Sequence, residues 1–397
     1  MTFTEPPRPV PPPSPEAIGP GLTLLRPQTR KGVGPGLIVL VDDFAAGVDI
    51  RNGVPSPLMK WAEEGYNVIE VTSKAWDGFL NPIDECVASL SAPGICEDPG
   101  KLGLLCYSEA LERRLRTHEL PRSAIVAAVL YGDAIDTASE NARIPFLIHS
   151  RKELQNKPEL SKSYAYPEQA SSRFATPYNE DFSYAAEAIS HTRNLTFLKR
   201  HMGGPYFDLE TIWDEHTYYE FEARSVEHTM NTMVAEPYVN HIPTLTGGIG
   251  REALTNFYRD HFVFSNPEGT SLDLISRTVG VDRVVDEFIF KLNHNKVVDW
   301  LLPGVPPTFR DLAIPFIAIV NIRGDRLYHE HITWDQATVL RQAGVLPDTL
   351  PFGKDAGEEV RLPVAGAEAV AKMRDKNSVA SNQMFQYGVQ IVSKEAR

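Results

Sequence analysis

The stretch GKLGLLCYSEALERRL (residues 100–115) passes from a short apolar strand pattern directly into a helix pattern. Ser108 lies at the junction, with the small residues Cys106 and Ala110 on either side of it. A serine on a sharp strand-to-helix turn is exposed for nucleophilic attack, and small neighbours permit the close backbone approach that the turn requires. The stretch therefore predicts a strand–helix unit of an α/β domain and makes Ser108 a candidate nucleophile.

Strand patterns of the same kind recur on both sides of this stretch. Continuously apolar runs such as GLIVLV (36–41) and AIVAAVLYG (124–132) alternate with amphipathic helix patterns over residues 35–202. Strands that are apolar throughout and separated by helices predict a parallel sheet with helices on both faces. We therefore expect an α/β domain with a parallel-rich sheet over this part of the chain.

The pattern changes after the turn-forming sequence MGGP (202–205). Over residues 207–350, helix patterns come first and long strand patterns follow, which predicts an α+β domain with a curved antiparallel sheet. The proline-rich segment 1–34 predicts a polyproline-like, solvated arm. The polar segment 351–397 predicts a loosely ordered C-terminal tail.

Composition limits the classes of function. The chain has 397 residues, too many for one ordinary core, and a formal net charge of −13, which argues against nucleic-acid binding. Its three cysteines, Cys86, Cys96 and Cys106, fit neither a disulfide framework nor a zinc site. No apolar run reaches the roughly 18 residues that a membrane-spanning helix needs. We expect a cytoplasmic homodimer without a nucleic-acid or membrane partner.

Residues 35–202 resemble the dienelactone hydrolases (carboxymethylenebutenolidases). The segments that carry the resemblance include GPGLIVLVDDFAAG (34–47), GKLGLLCYSEAL (100–111) and YAYPEQASSRF (164–174). The resemblance implies an α/β hydrolase-like fold with Ser108 at the nucleophile's position and Glu153 near the acid's position. The base should be a histidine shortly after Tyr166-Pro167, where this chain has serines. Without an imidazole to accept its proton, Ser108 is expected to be weakly reactive and the domain inactive.

Two histidines elsewhere in this domain are candidates for the missing base. His149 falls within a predicted buried strand, and His191 falls on a predicted helix face. Either one would have to approach Ser108 in the folded chain.

The following domain resembles the SnoaL-like polyketide cyclase branch of the nuclear transport factor two-like superfamily. The resemblance is carried by EPYVNHIPTLTGGIGREALTNFY (236–258), VVDEFIF (284–290), DWLLPGVPPTFR (299–310) and RGDRLYHEHITWDQATVLRQAGVL (323–346). It implies an α+β cone in which helices and a curved antiparallel sheet enclose one apolar pocket. Members of this superfamily isomerise, cyclise, dehydrate or open epoxides in that pocket, while others only bind or assemble.

Strand alternation in LYHEHITWD (327–335) divides the candidate residues between two faces. His329, His331 and Thr333 share one face, and Glu330, Ile332 and Trp334 share the other. If the histidines face the pocket, His331 could shuttle protons. If Glu330 faces it, an apolar setting would raise its pKa and make it a general acid or base. The sequence leaves this choice open.

Further candidates lie along the same domain. His241 stands where a helix pattern gives way to a glycine-rich loop. Asp286 and Glu287 alternate on a strand of Val, Phe and Ile, so only one of them can point inward as a candidate base, and Glu287 is included among the candidates. The substrate-binding candidates are polar or aromatic residues that could orient a ligand in an apolar pocket: Tyr238, Asn240, Tyr258, Trp300 and Trp334. No metal site is expected, because His331 is the last histidine and no further ligand follows it. No cofactor is expected either, since LTGGIG (245–250) matches neither phosphate-binding motif.

These observations favour a cofactor-free acid/base enzyme of the isomerase, cyclase, dehydratase or hydrolase type. It would act on a small apolar organic substrate in the pocket of residues 207–350. The alternatives are an ester or lactone hydrolase that uses Ser108, and a non-catalytic binding or dimerisation protein that uses the open face of the sheet.

Overall fold

The computed structural model describes Phe3 and residues 5–115, 124–133, 144–154, 160–353 and 357–391. Each of the two expected domains has its own large sheet. The first sheet has eight strands and is mostly parallel, and the second has six strands and is mostly antiparallel. The predicted fold class, a parallel-rich α/β domain followed by an α+β domain, is therefore confirmed.

The first sheet and a small ribbon account for the first ten strands. They are β1 (Glu16–Gly19), β2 (Leu22–Leu25), β3 (Gly36–Leu40), β4 (Ile50–Arg51), β5 (Val54–Pro55), β6 (Asn67–Val71), β7 (Leu102–Cys106), β8 (Ile125–Tyr131), β9 (Phe146–Ser150) and β10 (Ser161–Ala165). The order in the sheet is β1-β2-β6-β3-β7-β8-β9-β10, and the strands from β6 to β10 in this order are parallel. The ribbon consists of β4 and β5.

The expectation of a solvated arm over residues 1–34 is corrected by β1 and β2. These strands form a hairpin that pairs antiparallel with β6. The side chains of Leu22, Leu24 and Leu25 are almost completely buried. The apolar run LTLL (22–25) is short and flanked by prolines, so its own pattern does not predict a strand. Its burial comes from pairing with the distant strand β6.

Five helices cover the two faces of the first sheet. They are α1 (Pro57–Glu63), α2 (Ala75–Gly78), α3 (Pro82–Leu90), α4 (Glu109–Leu115) and α5 (Tyr184–Met202). Apolar residues of α1 and α5 belong to the core on one face, and those of α3 and α4 belong to the core on the other. The elbow predicted at Ser108 thus joins β7 to α4.

The second sheet curves around a core of its own. Its strands are β11 (Met233–His241), β12 (Thr246–Ile249), β13 (Ser271–Val279), β14 (Arg283–Asn293), β15 (Asp311–Arg323) and β16 (Arg326–Trp334), in the order β12-β11-β16-β15-β14-β13. All neighbours are antiparallel except β11 and β16. The helices of this domain are α6 (Leu209–Thr217), α7 (Val226–Asn231), α8 (Arg251–Phe257) and α9 (Gln336–Gln342). Residues of the first three of these helices pack with one face of the sheet in a single core.

The segment after residue 350 is more structured than a loose tail in the part that the structure describes. It contributes to a three-stranded sheet of β17 (Thr349–Pro351), β18 (Glu358–Arg361) and β19 (Val389–Ile391). Helix α10 (Glu368–Arg374) lies over the outer face of β15 and β16, where Ala369 and Met373 share a cleft with Ile317 and Thr333. Part of the outer face that was expected to be open is therefore covered by the chain itself.

Another part of that outer face meets the first domain. Arg323, at the end of β15, forms a nearly buried ion pair of 2.8 Å with Glu63 of α1. Thr192 of α5 bonds to both Asp282 and Arg283 beside β14. Among the helices described, none is both long and apolar enough to cross a lipid bilayer.

Candidate functional site

The inner face of the second sheet decides which residues of β16 could act on a ligand. Glu330 and Ile332 point inward and line a cavity, whereas His329 and His331 point to the opposite face. The inward side chain of Glu330 is 3% exposed. The question that the sequence left open is thus answered in favour of the Glu330 face.

Glu330 belongs to a buried cluster with His216, Glu220 and Tyr258. The Nε2 atom of His216 lies 3.0 Å from Oε1 of Glu330 and 3.2 Å from Oε1 of Glu220. The hydroxyl of Tyr258 donates to Oε1 of Glu330 at 3.3 Å. His216 is fully buried, and Glu220 is 3% exposed. Four titratable side chains therefore share one water-poor region.

Hydrogen bonds indicate that His216 carries a proton on each ring nitrogen. The hydroxyl of Thr232 donates to the carbonyl of Thr229, so at 2.6 Å it accepts from Nδ1–H of His216. Nε2 faces two carboxylates, which can only accept when ionised. His216 is therefore an imidazolium that holds both carboxylates.

Burial and neighbouring charges set the protonation of the cluster. Burial alone would lower the pKa of His216, but the charges of Glu220 and Glu330 outweigh it and raise that pKa to about 10. Burial raises the pKa of Glu220 above its usual range, and the charge of His216 offsets this only in part. Burial and then the charge of Glu330 raise the pKa of Tyr258 well above its usual range. Tyr258 thus stays a hydrogen-bond donor at neutral pH.

Two widened helical turns position the carboxylate of Glu220 and the hydroxyl of Tyr258. Helix α6 continues into a π-helical turn over Tyr218–Glu222, and α8 continues into one over Tyr258–Phe262. In each turn a backbone N–H bonds to the carbonyl five residues earlier, Ala223 to Tyr218 and Val263 to Tyr258. Such turns rotate the side chains that follow and are frequent at functional sites.

The cavity in front of the cluster is small and apolar. It offers about 40 Å³ of room for the centres of water-sized molecules. Nine of its seventeen lining residues are aromatic: Trp213, Phe221, Phe257, Tyr258, Phe262, Phe288, Phe290, Trp300 and Phe316. The others are Thr217, Glu220, Val239, His241, Leu272, Ala318, Glu330 and Ile332. His216 lies behind the carboxylates and does not line the space.

His241 adds a neutral polar group to the cavity wall. Its Nδ1 lies 3.0 Å from the hydroxyl of Thr246, and the rings of Trp300 and Phe262 pack against it. Burial lowers the pKa of His241 to about 3, so the ring is uncharged at neutral pH. His241 can therefore orient a ligand by a hydrogen bond but carries no charge to it.

A surface cleft of about 390 Å³ adjoins the cavity. Thr217, Phe221 and Leu272 line both spaces and so separate them. The outer side of the cleft includes Asp214 and Glu222. The cleft and the cavity are therefore neighbours across these three side chains.

Several predicted site residues lie outside the cavity, which corrects their proposed contact with a ligand. Tyr238 and His331 bond to each other at 3.1 Å on the outer face, and Asn240 pairs with His331 on the same face. Glu287 also points outward and accepts from the hydroxyl of Ser276. Trp334 packs in the core against Phe316 and donates to Gln336, without lining the cavity. Strand alternation places Tyr238, Asn240, His331 and Glu287 on the outer face, whereas Trp334 shares the inner face with Glu330 and lies farther along β16.

The elbow of the first domain is not equipped for nucleophilic catalysis in the residues described. The hydroxyl oxygen of Ser108 accepts from the backbone N–H of Leu111 and so caps α4. His149 is buried between Tyr166 and Asn194, and burial lowers its pKa to about 3. His191 bonds to Glu64. Neither histidine is a partner of Ser108.

The two serines that could take the place of the expected base, Ser171 and Ser172, also have other partners. Ser171 donates to Asp181 at 2.7 Å. Ser172 donates to Glu109 at 2.6 Å. Glu153 is exposed and lies outside this group. The suggestion that Ser108 and Glu153 form a hydrolase site gains no geometric support from these positions.

His216 and Glu220 were missed from the sequence. They lie four positions apart in IWDEHTYYEF (212–221), which places them on one face of a helix. That spacing was the available signal. It was obscured because aromatic residues surround it and suggested only a wall of the core.

The same cluster is where a cation could bind. One donor atom each from His216, Glu220 and Glu330 lie within 4.8 Å of one another. A histidine nitrogen and two carboxylate oxygens suit zinc, manganese or iron. The hydrogen bonds of the imidazolium account for the same distances without an ion.

Comparisons with known proteins relate the C-terminal third of the chain to solved structures. No protein-family model matches the chain, and no curated protein matches it. About a third of the chain, on its C-terminal side, resembles the SnoaL-like fold. A SnoaL-like polyketide cyclase candidate from Jannaschia sp. CCS1 covers 36% of this chain and 99% of its own, at 16% identity and a TM-score of 0.30.

Two further structures match in the same way. TsrD from Streptomyces laurentii covers 35% of this chain and 96% of its own, at 19% identity and a TM-score of 0.29. A hypothetical protein with a ketosteroid isomerase-like fold from Catenulispora acidiphila, solved with trimethylamine, covers 37% and 100%, at 15% identity and 0.28. At these values the matches carry no argument about activity or ligand.

Proposed function

We propose that the second domain is a cofactor-free acid/base enzyme that moves a proton on a small, mostly apolar organic substrate. One observation supports this most directly. The apolar cavity has two charged lining residues among those described, Glu220 and Glu330, and both are held by the buried imidazolium of His216. A carboxylate kept away from water beside an apolar space is a typical proton-transferring group.

Glu220 is the residue assigned to accept the proton. Its raised pKa makes its carboxylate a stronger base than that of an exposed glutamate. It would remove a proton from a carbon next to a carbonyl group. The electron pair of the broken C–H bond then moves towards the carbonyl oxygen, which becomes negative.

Tyr258 is assigned to stabilise that oxygen. Its hydroxyl lies at the cavity wall, and its single proton, which points to Glu330 in this structure, would turn to the substrate oxygen when a substrate binds. A donor aimed at developing negative charge is worth most in a water-poor site. Glu220 can then return the proton to another carbon, which is an isomerisation. Alternatively the carbanion attacks a second carbonyl of the same substrate, whose oxygen takes the proton back from Glu220, which is a cyclisation.

Glu330 and His216 complete the arrangement. Glu330 accepts from both His216 and Tyr258 and thereby fixes their orientation. His216 is a positioning residue, since it touches the carboxylates and does not line the cavity.

Solvent deuterium exchange tests the proposal without knowledge of the natural substrate. A panel of small cyclic ketones, including β,γ-unsaturated ones, would be incubated with the protein in D₂O and followed by NMR. We expect exchange or isomerisation of at least one member. Glu220→Gln should reduce the rate by about 10²–10⁴-fold, because it removes the base. Tyr258→Phe should reduce it by about 10²–10³-fold, because it removes the donor.

Glu287→Gln is the matched control, because it neutralises a carboxylate on the outer face of the same sheet. Its rate should equal that of the unchanged protein. A Glu220→Gln variant with full activity would refute the assignment of the base. Absence of exchange across the whole panel would favour a binding protein instead.

A further inference from the structure

The charges around the cavity do not balance. Two carboxylates, Glu220 and Glu330, face one imidazolium, His216. Among the residues that the structure describes, no lysine or arginine lines the cavity. The described residues of this cluster thus include two acidic side chains and a single basic one. A buried carboxylate is stabilised by a positively charged neighbour, so the site favours a cationic ligand.

The walls of the cavity are suited to an organic cation. More than half of the lining residues are aromatic, and their rings stand close together. The ring centroids of Phe262 and Phe290 lie 5.2 Å and 5.5 Å from that of Trp300. Aromatic rings attract alkylammonium groups through their negatively charged faces and also accommodate the methyl groups. A hydrated inorganic ion would gain little from such walls.

The size of the cavity limits the group that can enter. Its volume of about 40 Å³ for the centres of water-sized molecules corresponds to a compact head group. By the usual space of about 10–15 Å³ for each water centre, this is roughly three or four water positions. A trimethylammonium group is of this order, whereas a large ring system is not.

The acidic residues of the adjoining surface cleft also favour a positively charged ligand. Its acidic residues are Asp214, which is paired with Arg277, and Glu222, which is exposed. An acidic mouth raises the local concentration of cations and lowers that of anions. This observation does not depend on the protonation of the inner cluster.

We propose that the cavity binds a small alkylammonium group, with the aromatic rings around its methyl groups and Glu220 or Glu330 as its counter-charge. The inference rests on the proposed function, since it names the charge of the substrate for that same site. With the ligand bound, two carboxylates balance two cations. One carboxylate then pairs with the ammonium group and the other remains available for proton transfer.

Choline and its uncharged carbon analogue, 3,3-dimethylbutan-1-ol, test the inference as a matched pair. Binding would be measured by calorimetry and by the fluorescence of Trp213 and Trp300, which line the cavity. We expect choline to bind at least about tenfold more tightly, because only choline supplies the charge. Glu220→Gln and Glu330→Gln should each weaken choline binding and leave that of the alcohol nearly unchanged. Glu287→Gln should alter neither.

Three results would overturn the inference: equal affinity for both compounds, no binding of choline, or choline binding that survives both substitutions. The outcome can be separated from that of the proposed function. Binding of choline without any exchange activity would refute the enzyme and leave the ligand class in place. Exchange activity on neutral ketones without choline binding would refute the ligand class and leave the proposed enzyme activity in place.

Discussion

Ser108 in the first domain and Glu330 in the second are both almost completely buried polar residues, at 2% and 3% exposure. They differ in their partners. The hydroxyl of Ser108 is occupied by the start of a helix, and no described histidine bonds to it. Glu330 contacts an imidazolium and a phenol beside an open space. A buried polar residue is therefore a candidate for catalysis when titratable side chains contact it, and a position at a strand–helix elbow is not sufficient.

The largest effect is expected where the two domains meet. Arg323→Met would leave the buried carboxylate of Glu63 without its ion-pair partner. Removing one member of a buried pair costs about 3–5 kcal/mol. We expect a loss of this order in the free energy of unfolding, measured by urea denaturation.

Arg151→Met provides the control for that loss. Arg151 pairs with Asp133 within the first domain, but its side chain is 36% exposed. The expected cost is at most about 1 kcal/mol, as for other solvent-exposed pairs. Equal costs for the two variants would mean that the contact between the domains contributes little stability.

The next largest effect is expected on the deuterium-exchange rate, where substitutions at Glu330 and at Ser108 should differ. Glu330→Gln should reduce the deuterium-exchange rate by about 10²-fold or more, because the anion that holds His216 and Tyr258 is lost. Ser108→Ala should leave that rate unchanged and should cost about 1 kcal/mol of stability, as the loss of a helix cap does.

A phosphonate that reacts with activated serines tests directly whether Ser108 is nucleophilic. We expect no labelling of Ser108, detected by mass spectrometry of the intact protein. Labelling of Ser108, or loss of exchange activity in Ser108→Ala, would move the chemistry to the first domain.

The smallest effect concerns two histidines on opposite sides of the second sheet. Because the pKa of His216 is raised to about 10, its imidazole NMR signals should stay in the protonated position from pH 6 to 8. Burial, and then the charge of Arg283, lower the pKa of His331, so its signals should change from the protonated to the neutral position at a lower pH than those of an exposed histidine. Neutral His216 at pH 7 would contradict the charge assignment of the cluster.

The same shift has a consequence for stability. A histidine whose pKa is higher in the folded chain than its usual value of about 6.5 stabilises the fold fully below that pH. The contribution is lost as the pH rises through about 10. The melting temperature should therefore fall over this range as His216 loses its proton.

The fold class followed from the sequence because strand and helix periods are local properties of the chain. Continuously apolar strands between helices predicted the parallel-rich sheet, and long strands after helices predicted the antiparallel one. The hairpin of residues 16–25 was missed, because a run of four residues among prolines gains its burial only from the distant strand β6.

The sequence by itself determined that Glu330 and His331 lie on opposite faces of β16, since successive side chains of a strand alternate. It also placed His216 and Glu220 on one side of a helix. Only the tertiary structure decided which face is enclosed, because that depends on α6 and α8 packing against one side of the sheet and the first domain and α10 covering much of the other. The pairing of His216 with Glu330 joins residues 114 positions apart, and no local pattern records a contact over such a separation.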